Sequence, residues 1–208
     1  MSLPDGVERR EFGGRMRLAT RGGPVYGEPT DGEWRAWNPE RSKLGAMIES
    51  GMDIGLDGGE TVLYLGAAAG TTVSHVADFA GPTYAVEFAP GPIDELLSAA
   101  ESRPRLFPLL KDARWPETYA HVVEPVDAIV QDVATRGQAA VAIENERFLR
   151  SDGRLLLSIK ARSEDVTARP EDVFEETLST LSETYSILET EQLEPYHDDH
   201  LGVVAEPR

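Results

Sequence analysis

Short apolar runs alternate with helix-period segments along the last three quarters of the chain, and that alternation sets the expected fold. The runs TVLYLG (61–66), TYAVEF (83–88), RLFPLL (105–110), VDAIVQD (126–132) and GRLLLSIK (153–160) are nearly continuous in aliphatic and β-branched residues. That is the signature of strands buried on both faces of a parallel sheet. Between them, segments 71–79, 92–101, 137–150 and 170–183 predict helices. Strand and helix in alternation predict βαβ units and a doubly wound α/β domain. The last two runs, YSILETEQL (185–193) and HLGVVAEP (200–207), are joined only by EPYHDD. A parallel pair needs a crossover of about a dozen residues, so these two predict an antiparallel hairpin.

The first 38 residues read differently. They are rich in glycine, arginine and aromatics, carry the turn signals GGR, RGGP and GEPTDGEW, and hold no lasting helical period, which predicts short strands and turns. Asn38-Pro39 then breaks the chain. In ERSKLGAMIES, the spacing of Leu44, Met47 and Ile48 predicts a short amphipathic helix opened by Pro39 in its first turn and carrying Lys43. The expected organisation is a small β-rich N-terminal region with a linking helix (1–50) followed by a catalytic domain (51–208). A Rossmann-like, seven-stranded, mostly parallel sheet ending in an antiparallel hairpin is the architecture of S-adenosylmethionine-dependent methyltransferases, an analogy of fold that assigns no function by itself.

Composition narrows the classes. The chain has no cysteine, which excludes a disulfide scaffold, a thiol nucleophile and a Cys-ligated metal site. Acidic residues number 37 against 20 basic, a net charge of −17. Only Lys43, Lys111 and Lys160 are lysines; every other basic residue is arginine. Acid excess with few lysines points to a proteome adapted to high salt, and it makes each surviving lysine informative. Residues 1–45 hold 8 basic and 7 acidic side chains, whereas residues 46–208 hold 12 and 30. The basic side chains least outweighed by acids, and hence the expected partner-facing set, are Arg9, Arg10, Arg15, Arg17, Arg21, Arg35 and Arg41. Trp34 and Trp37 are expected chiefly to anchor this segment on the catalytic domain. With no run of about 18 apolar residues and no charged-then-apolar leader, a cytoplasmic protein is expected.

Open α/β sheets bind ligands outside the carboxyl ends of their strands. The first of these strands ends in Gly66-Ala67-Ala68-Ala69-Gly70-Thr71-Thr72 and leads into a helix, a turn of small residues that lets backbone approach a ligand. Glu87 ends the next strand, 21 residues after Gly66, near the spacing at which a carboxylate accepts from ribose hydroxyls. Asp112-Ala113 closes the third strand; its carboxylate can meet an adenine amino group or simply cap a helix. Asp132 and Lys160 end the fourth and fifth. A lysine closing an apolar run needs a partner if it is buried, and Asp132 on the adjacent strand is the expected one. A nicotinamide dehydrogenase fits less well, because the third glycine of GxGxxG is missing and little chain remains for a substrate domain. Methyl transfer to a hydroxyl asks for positioning and for a lysine and carboxylate to manage the proton.

Longer strings are more specific. VLYLGAAAGTTVSHVAD (62–78), YAVEFAP (84–90), KDAR (111–114), YAHVVEPVD (119–127), QDVA (131–134), IKARSEDVT (159–167) and LEPYHDDH (193–200), with WNPERSKL (37–44), resemble archaeal fibrillarin over nearly the whole chain. The resemblance implies a 2′-O-methyltransferase acting on ribosomal and sometimes transfer RNA, with S-adenosyl-L-methionine as cofactor and no metal. It implies the partners of a box C/D ribonucleoprotein: guide RNA, target RNA, a Nop-type scaffold protein and a kink-turn-binding ribosomal-type protein. Carried over by position, it puts the cofactor on Gly66, Ala67, Gly70, Thr71, Thr72, Glu87, Phe88, Asp112, Ala113 and the turn Asp132-Val133-Ala134-Thr135. Catalysis falls to Lys43, Asp132, Lys160 and His200, with Lys160 acting on the 2′-hydroxyl. Ala68 and Ala69 stand where the family usually has serine, Gly91 where it has arginine, and Thr135-Arg136-Gly137 where Gln-Pro-Asp is common. The alternatives are a non-catalytic structural subunit of the same particle and a small-molecule methyltransferase.

Overall fold

Two sheets, joined by one short helix, carry the chain. The computed structural model describes residues 3–208. The N-terminal sheet is antiparallel, built from β1 (Val7–Phe12), β2 (Arg15–Arg21), β3 (Thr30–Asp31) and β4 (Trp34–Trp37) in the order β1-β2-β4-β3. The large sheet runs β10-β11-β9-β8-β5-β6-β7, with β5 (Val62–Leu65), β6 (Thr83–Glu87), β7 (Leu106–Leu110), β8 (Val126–Gln131), β9 (Leu149–Lys160), β10 (Tyr185–Gln192) and β11 (His200–Pro207). Strands β5 to β9 pair parallel, while β11 lies antiparallel between β9 and β10. The expected hairpin and methyltransferase-type sheet are both present. Among the described residues no helix is long and apolar enough to cross a membrane.

Alternation along each central strand feeds two cores. Val62 and Tyr64 of β5 pack on one face with α1 (Lys43–Glu49) and α2 (Thr71–Phe79), which supply Met47, Val73 and Val76. Leu63 and Leu65 face the other side with α4 (Gln138–Asn145) and α6 (Pro170–Leu181), which supply Val141, Ala142 and Phe174. This is the two-sided burial that near-continuous apolar strands require. Helix α3 (Pro90–Glu101) precedes β7, and α5 (Ala161–Glu164) is a single turn after Lys160 that periodicity did not reveal.

Two helix boundaries differ from the sequence reading. Pro39 opens a separate 3-10 turn (Pro39–Arg41), and Ser42 then caps a new helix by accepting from the Gly45 amide, so Lys43 is the first residue of α1. The helix expected over 137–150 stops at Asn145, whose amide donates to Ala113 O and Val141 O while its oxygen accepts from Tyr119. A 3-10 turn follows, and β9 begins at Leu149, drawn into register opposite Val126.

The small sheet is bound to the large domain through buried charge. Asp78, on α2, accepts from Arg35 Nε at 2.7 Å, Thr20 Oγ1 at 2.7 Å and Arg103 Nε at 2.9 Å. Arg35 is fully buried and also pairs with Glu28. Thr20 gives its proton to Asp78, so it accepts from His75 Nδ1 at 2.7 Å. That fixes the His75 tautomer and leaves Nε2 to accept from the Tyr26 hydroxyl at 3.0 Å. Burial, together with the nearby Arg35 and Arg103 charges, holds the His75 imidazole well below its ordinary pKa.

Replacing Arg35 by methionine strands two buried carboxylates, and we expect a loss of about 3–5 kcal/mol, read as a lowered denaturation midpoint at constant KCl. His75 titrates near pH 6.5 when unfolded but stays neutral when folded. The unfolded state therefore binds the extra proton, and stability is lost as pH falls below about 6.5, by up to about 1.4 kcal/mol per unit for this one group. Chemical denaturation between neutral and mildly acidic pH checks the slope, which His75→Gln should lower.

Candidate active site

The carboxyl ends of β5, β6 and β8 meet at one turn that only glycine can make. Gly66 has φ +84°, and a Cβ there would lie 2.4 Å from Asp132 O. Its amide and that of Ala67 both donate to Val86 O, at 2.9 and 3.0 Å. Ala68 also sits at positive φ, 46°. Its amide donates to Glu87 Oε2 at 2.8 Å, and Ala89 N donates to Oε1 at 2.7 Å. Glu87 is thus a buried brace across two loops, and each oxygen keeps a further lone pair.

Beside this brace is a cleft of about 320 Å³ lined by Gly66, Glu87, Phe88, Asp112, Ala113 and the Asp132–Thr135 turn, nine of the positions singled out from sequence. Ala67, Gly70, Thr71 and Thr72 lie outside that lining. Ala67 and Thr72 are buried, the Thr72 hydroxyl turning to Tyr64, and Gly70 packs against Leu96 and Ala99. The structure adds Lys111 and Arg114, which sequence reading did not place in the site. Arg114 grips Asp112, with Nε 3.0 Å from Oδ1 and Nη2 2.6 Å from Oδ2, and this pairing holds the Asp112 carboxyl below its usual range. The two-residue spacing in KDAR is the signal that could have revealed this pairing. Asp112 is a turn carboxylate shared with an arginine, so any adenine contact must share it.

At the same sheet edge lie four predicted residues: Lys43 at the start of α1, Asp132 just after β8, Lys160 at the end of β9 and His200 at the start of β11. Trp37 stacks on His75, with ring centroids 4.9 Å apart and planes 6° from parallel, and donates Nε1–H to Ser42 Oγ at 2.8 Å. Ser42 caps α1, which places Lys43 Nζ 3.0 Å from Asp132 Oδ2. Asp132 was expected to pair with Lys160; its partner is Lys43. The reason lies in register. Gln131 pairs with Leu157, so Lys160 sits two positions beyond the point opposite Asp132. Its backbone is held there by Gln138, whose Oε1 accepts from Lys160 N at 2.9 Å and whose Nε2 donates to Lys160 O at 3.1 Å. The Lys160 ammonium has no ion-pair partner among the described residues.

His200 lies directly opposite Lys160 in the β9–β11 ladder. Its Nδ1–H donates to Asp198 O at 2.7 Å, leaving Nε2 unprotonated, enclosed and without a partner. His197, which sequence reading passed over, donates Nε2–H to Pro39 O at 2.8 Å and so ties the turn before Lys43 to the β10–β11 loop. Burial, with a smaller contribution from Lys43, lowers the pKa of both imidazoles. The centre therefore holds two cations, one carboxylate and two neutral histidines. That set suits stabilisation of a developing oxyanion and uptake of a proton.

Comparison with known proteins agrees with this geometry. The family model described as Fibrillarin matches residues 13–208. Over 208 residues the chain is 72% identical to the fibrillarin-like rRNA/tRNA 2′-O-methyltransferase of Haloarcula marismortui, spanning 100% of this chain and 99% of the relative. The crystal structure of a fibrillarin/Nop5p complex superposes with a TM-score of 0.93 at 40% identity, covering 100% of both chains. Aeropyrum pernix fibrillarin with natively bound S-adenosyl-L-methionine gives a TM-score of 0.85 at 42% identity, covering 96% of this chain and 94% of that one. With both the Gly66–Glu87 cleft and the Lys43–Asp132 pair in place, the chain belongs to the fibrillarin family.

Proposed function

We propose that the protein methylates ribose 2′-hydroxyls of rRNA and tRNA from S-adenosylmethionine, as the catalytic subunit of a guide-RNA ribonucleoprotein. The observation that carries this reading is the meeting, at one sheet edge, of the Glu87 cleft and the Lys43–Asp132 pair. The cleft suits the cofactor chemically. Glu87 offers lone pairs for ribose hydroxyls, Gly66 leaves backbone uncovered, and Val86, Ala113 and Val141 give an apolar lining for a flat base. Phe88, 69% exposed, forms part of the rim. When bound, S-adenosylmethionine supplies an electrophilic methyl group on a sulfonium sulfur.

The chain's own residues handle the hydroxyl. Lys160, free of any carboxylate, lowers the hydroxyl's pKa by facing the developing negative charge. Asp132 Oδ1, which makes no hydrogen bond among the described residues, accepts the proton while Oδ2 stays with Lys43. Lys43 thereby orients the acceptor and offers its remaining donors to a phosphate. His200 packs against this centre and shapes it, since its Nε2 is enclosed.

A net charge of −17 opposes unaided RNA binding. Guide pairing and a Nop-type scaffold, in line with the fibrillarin/Nop5p relative, supply the substrate, with a kink-turn-binding protein completing the particle. Within the chain, residues 1–50 act as an appended module on a catalytic domain of 51–208, and the assembly works in the cytoplasm.

Methyl transfer from labelled cofactor to a target RNA at molar KCl, with and without scaffold proteins and guide RNA, tests the reading. We expect guide-dependent transfer that Lys160→Ala lowers by roughly 10²–10⁴-fold. A complete assembly that binds cofactor and transfers nothing identifies a structural subunit instead. For the cleft, Glu87→Gln should raise the cofactor Kd by about 10–100-fold, the effect of weakening hydrogen bonds to a charged acceptor. Calorimetry on the protein without RNA reads this; an unchanged Kd removes Glu87 from the cofactor site.

A further inference from the structure

Strand alternation sorts the N-terminal arginines into two groups. Val7, Leu18 and Trp37 of the small sheet join the core beneath it, whereas Phe12, Ala19, Trp34 and Ala36 form a separate cluster on the outer face. Arg35 lies on the inner face, buried on Asp78, and Arg9 reaches Glu49 on α1 at 2.7 Å. Arg41 is outside the sheet, 4.6 Å over the Tyr26 ring. Arg10, Arg15, Arg17 and Arg21 belong to the outer face. In register, Arg10 is opposite Arg17, Arg15 opposite Phe12, and Arg21 opposite Trp34.

This face is unsatisfied in three ways. Like charges directly across a ladder repel, yet Arg10 and Arg17 occupy such a pair. The Nε atoms of both are buried without a hydrogen-bond partner. The acids on the face, Glu8 and Asp31, both turn to Arg10, at 3.2 and 3.4 Å. Arg15, Arg17 and Arg21 therefore have no ion pair among the described residues. Meanwhile the Arg10 and Arg21 guanidiniums lie 4.9 and 4.6 Å over the Trp34 ring, an arrangement that restricts them before any ligand arrives.

We propose that this outer face, centred on Arg10 and Arg17, binds the phosphodiester backbone of an RNA strand; the proposal rests on the RNA-modifying reading above. Charge complementarity selects a polyanion, because the face reverses the sign of a chain whose net charge is −17. Planar guanidinium forks suit phosphate oxygens. Position selects the RNA undergoing modification. The Arg10–Arg17 row adjoins the Leu18–Trp37 pair, and the six residues from Trp37 to Lys43 span at most about 22 Å. The strand next to the arginine row therefore lies within the length of a few nucleotides of Lys43, which places the face beside the site that the proposed substrate enters.

The test uses the assembled ribonucleoprotein and a fluorescent target RNA, comparing wild type, Arg10→Gln/Arg17→Gln and Arg10→Lys/Arg17→Lys across a KCl series. We expect the glutamine variant to raise the RNA Kd by about tenfold. Its slope of log Kd against log salt should fall by about 1.4, or about 0.7 for each phosphate that is no longer neutralised. Cofactor Kd and transfer at saturating RNA should not change, and the lysine variant should keep the wild-type slope. Unchanged RNA affinity and slope in the glutamine variant overturn the proposal. So does weakened scaffold binding or self-association in sedimentation with RNA affinity intact, which would give the face to an acidic protein surface. Failure of the functional reading shows separately, as absence of methyl transfer by wild type, while RNA affinity still reports on the face.

Discussion

A buried carboxylate governs how the two sheets meet. Asp78 lies on α2 with almost no access to water, and an unpaired charge there would cost several kcal/mol. Its partners come from β2, β4 and the residue pair after α3, so satisfying it fixes the small sheet on the large domain. The consequence reaches the active site through contact. Arg35 and Trp37 share the inner face of β4; Trp37 stacks on His75 and holds Ser42, and Ser42 starts the helix that begins with Lys43. A Cβ on Gly45 would come within 3.0 Å of Trp37 Nε1, so the first turn of α1 is pressed against that ring. The position of Lys43 thus follows from how Asp78 is neutralised.

The second constraint is charge within the site. One carboxylate and two lysines leave a single net positive charge, to which the two nearby histidines add little because burial lowers their pKa. Pairing Asp132 with Lys43 leaves the Lys160 ammonium without a carboxylate among the described residues, and on the proposed mechanism it is the cation that meets the oxyanion. An Asp132–Lys160 pair would occupy both groups. Register and the Gln138 clamp prevent this. On the cofactor side, Arg114 serves Asp112 and two amides serve Glu87. Each carboxylate is oriented before a ligand binds, which is where much of the rate in a positioning-dominated reaction originates.

Much of this was legible in the chain. The period of the apolar runs located the central strands within a residue or two except at the start of β9, and the length of EPYHDD separated a hairpin from a crossover. Strand ends then located Gly66, Glu87, Asp112, Asp132 and Lys160 on one edge. Lys43 and His200 were legible only through resemblance, since nothing local tells a helix residue which strand it will meet. The partner of Asp132 is not the lysine that ends the adjacent strand but the one that α1 brings to it, a contact that strand order in the sequence does not show. The Asp78 network was invisible. Arg35 and Asp78 are 43 positions apart, and a charged residue in a sequence gives no sign that it will be buried. Thr71 and Thr72 open α2 at the end of that turn, and Thr72 is buried there rather than lining the cleft.

High salt makes the division between buried and exposed charge consequential. At molar ionic strength the Debye length is about 3 Å, so exposed pairs such as Arg169–Asp172 are largely screened. Pairs removed from water are screened much less. The Arg35–Asp78–Arg103 network therefore survives conditions that dissolve surface electrostatics, and it is the one that sets the geometry. The same screening weakens every exposed arginine contact to phosphate, so a protein working in such a solvent cannot hold RNA by charge alone. Contacts that persist there must be braced, as the stacking on Trp34 braces Arg10 and Arg21. Base pairing to a guide is less dependent on protein charge. On the proposed reading, the acidity of the chain and reliance on guide pairing go together: a surface with 37 acidic against 20 basic side chains offers few cations to phosphate.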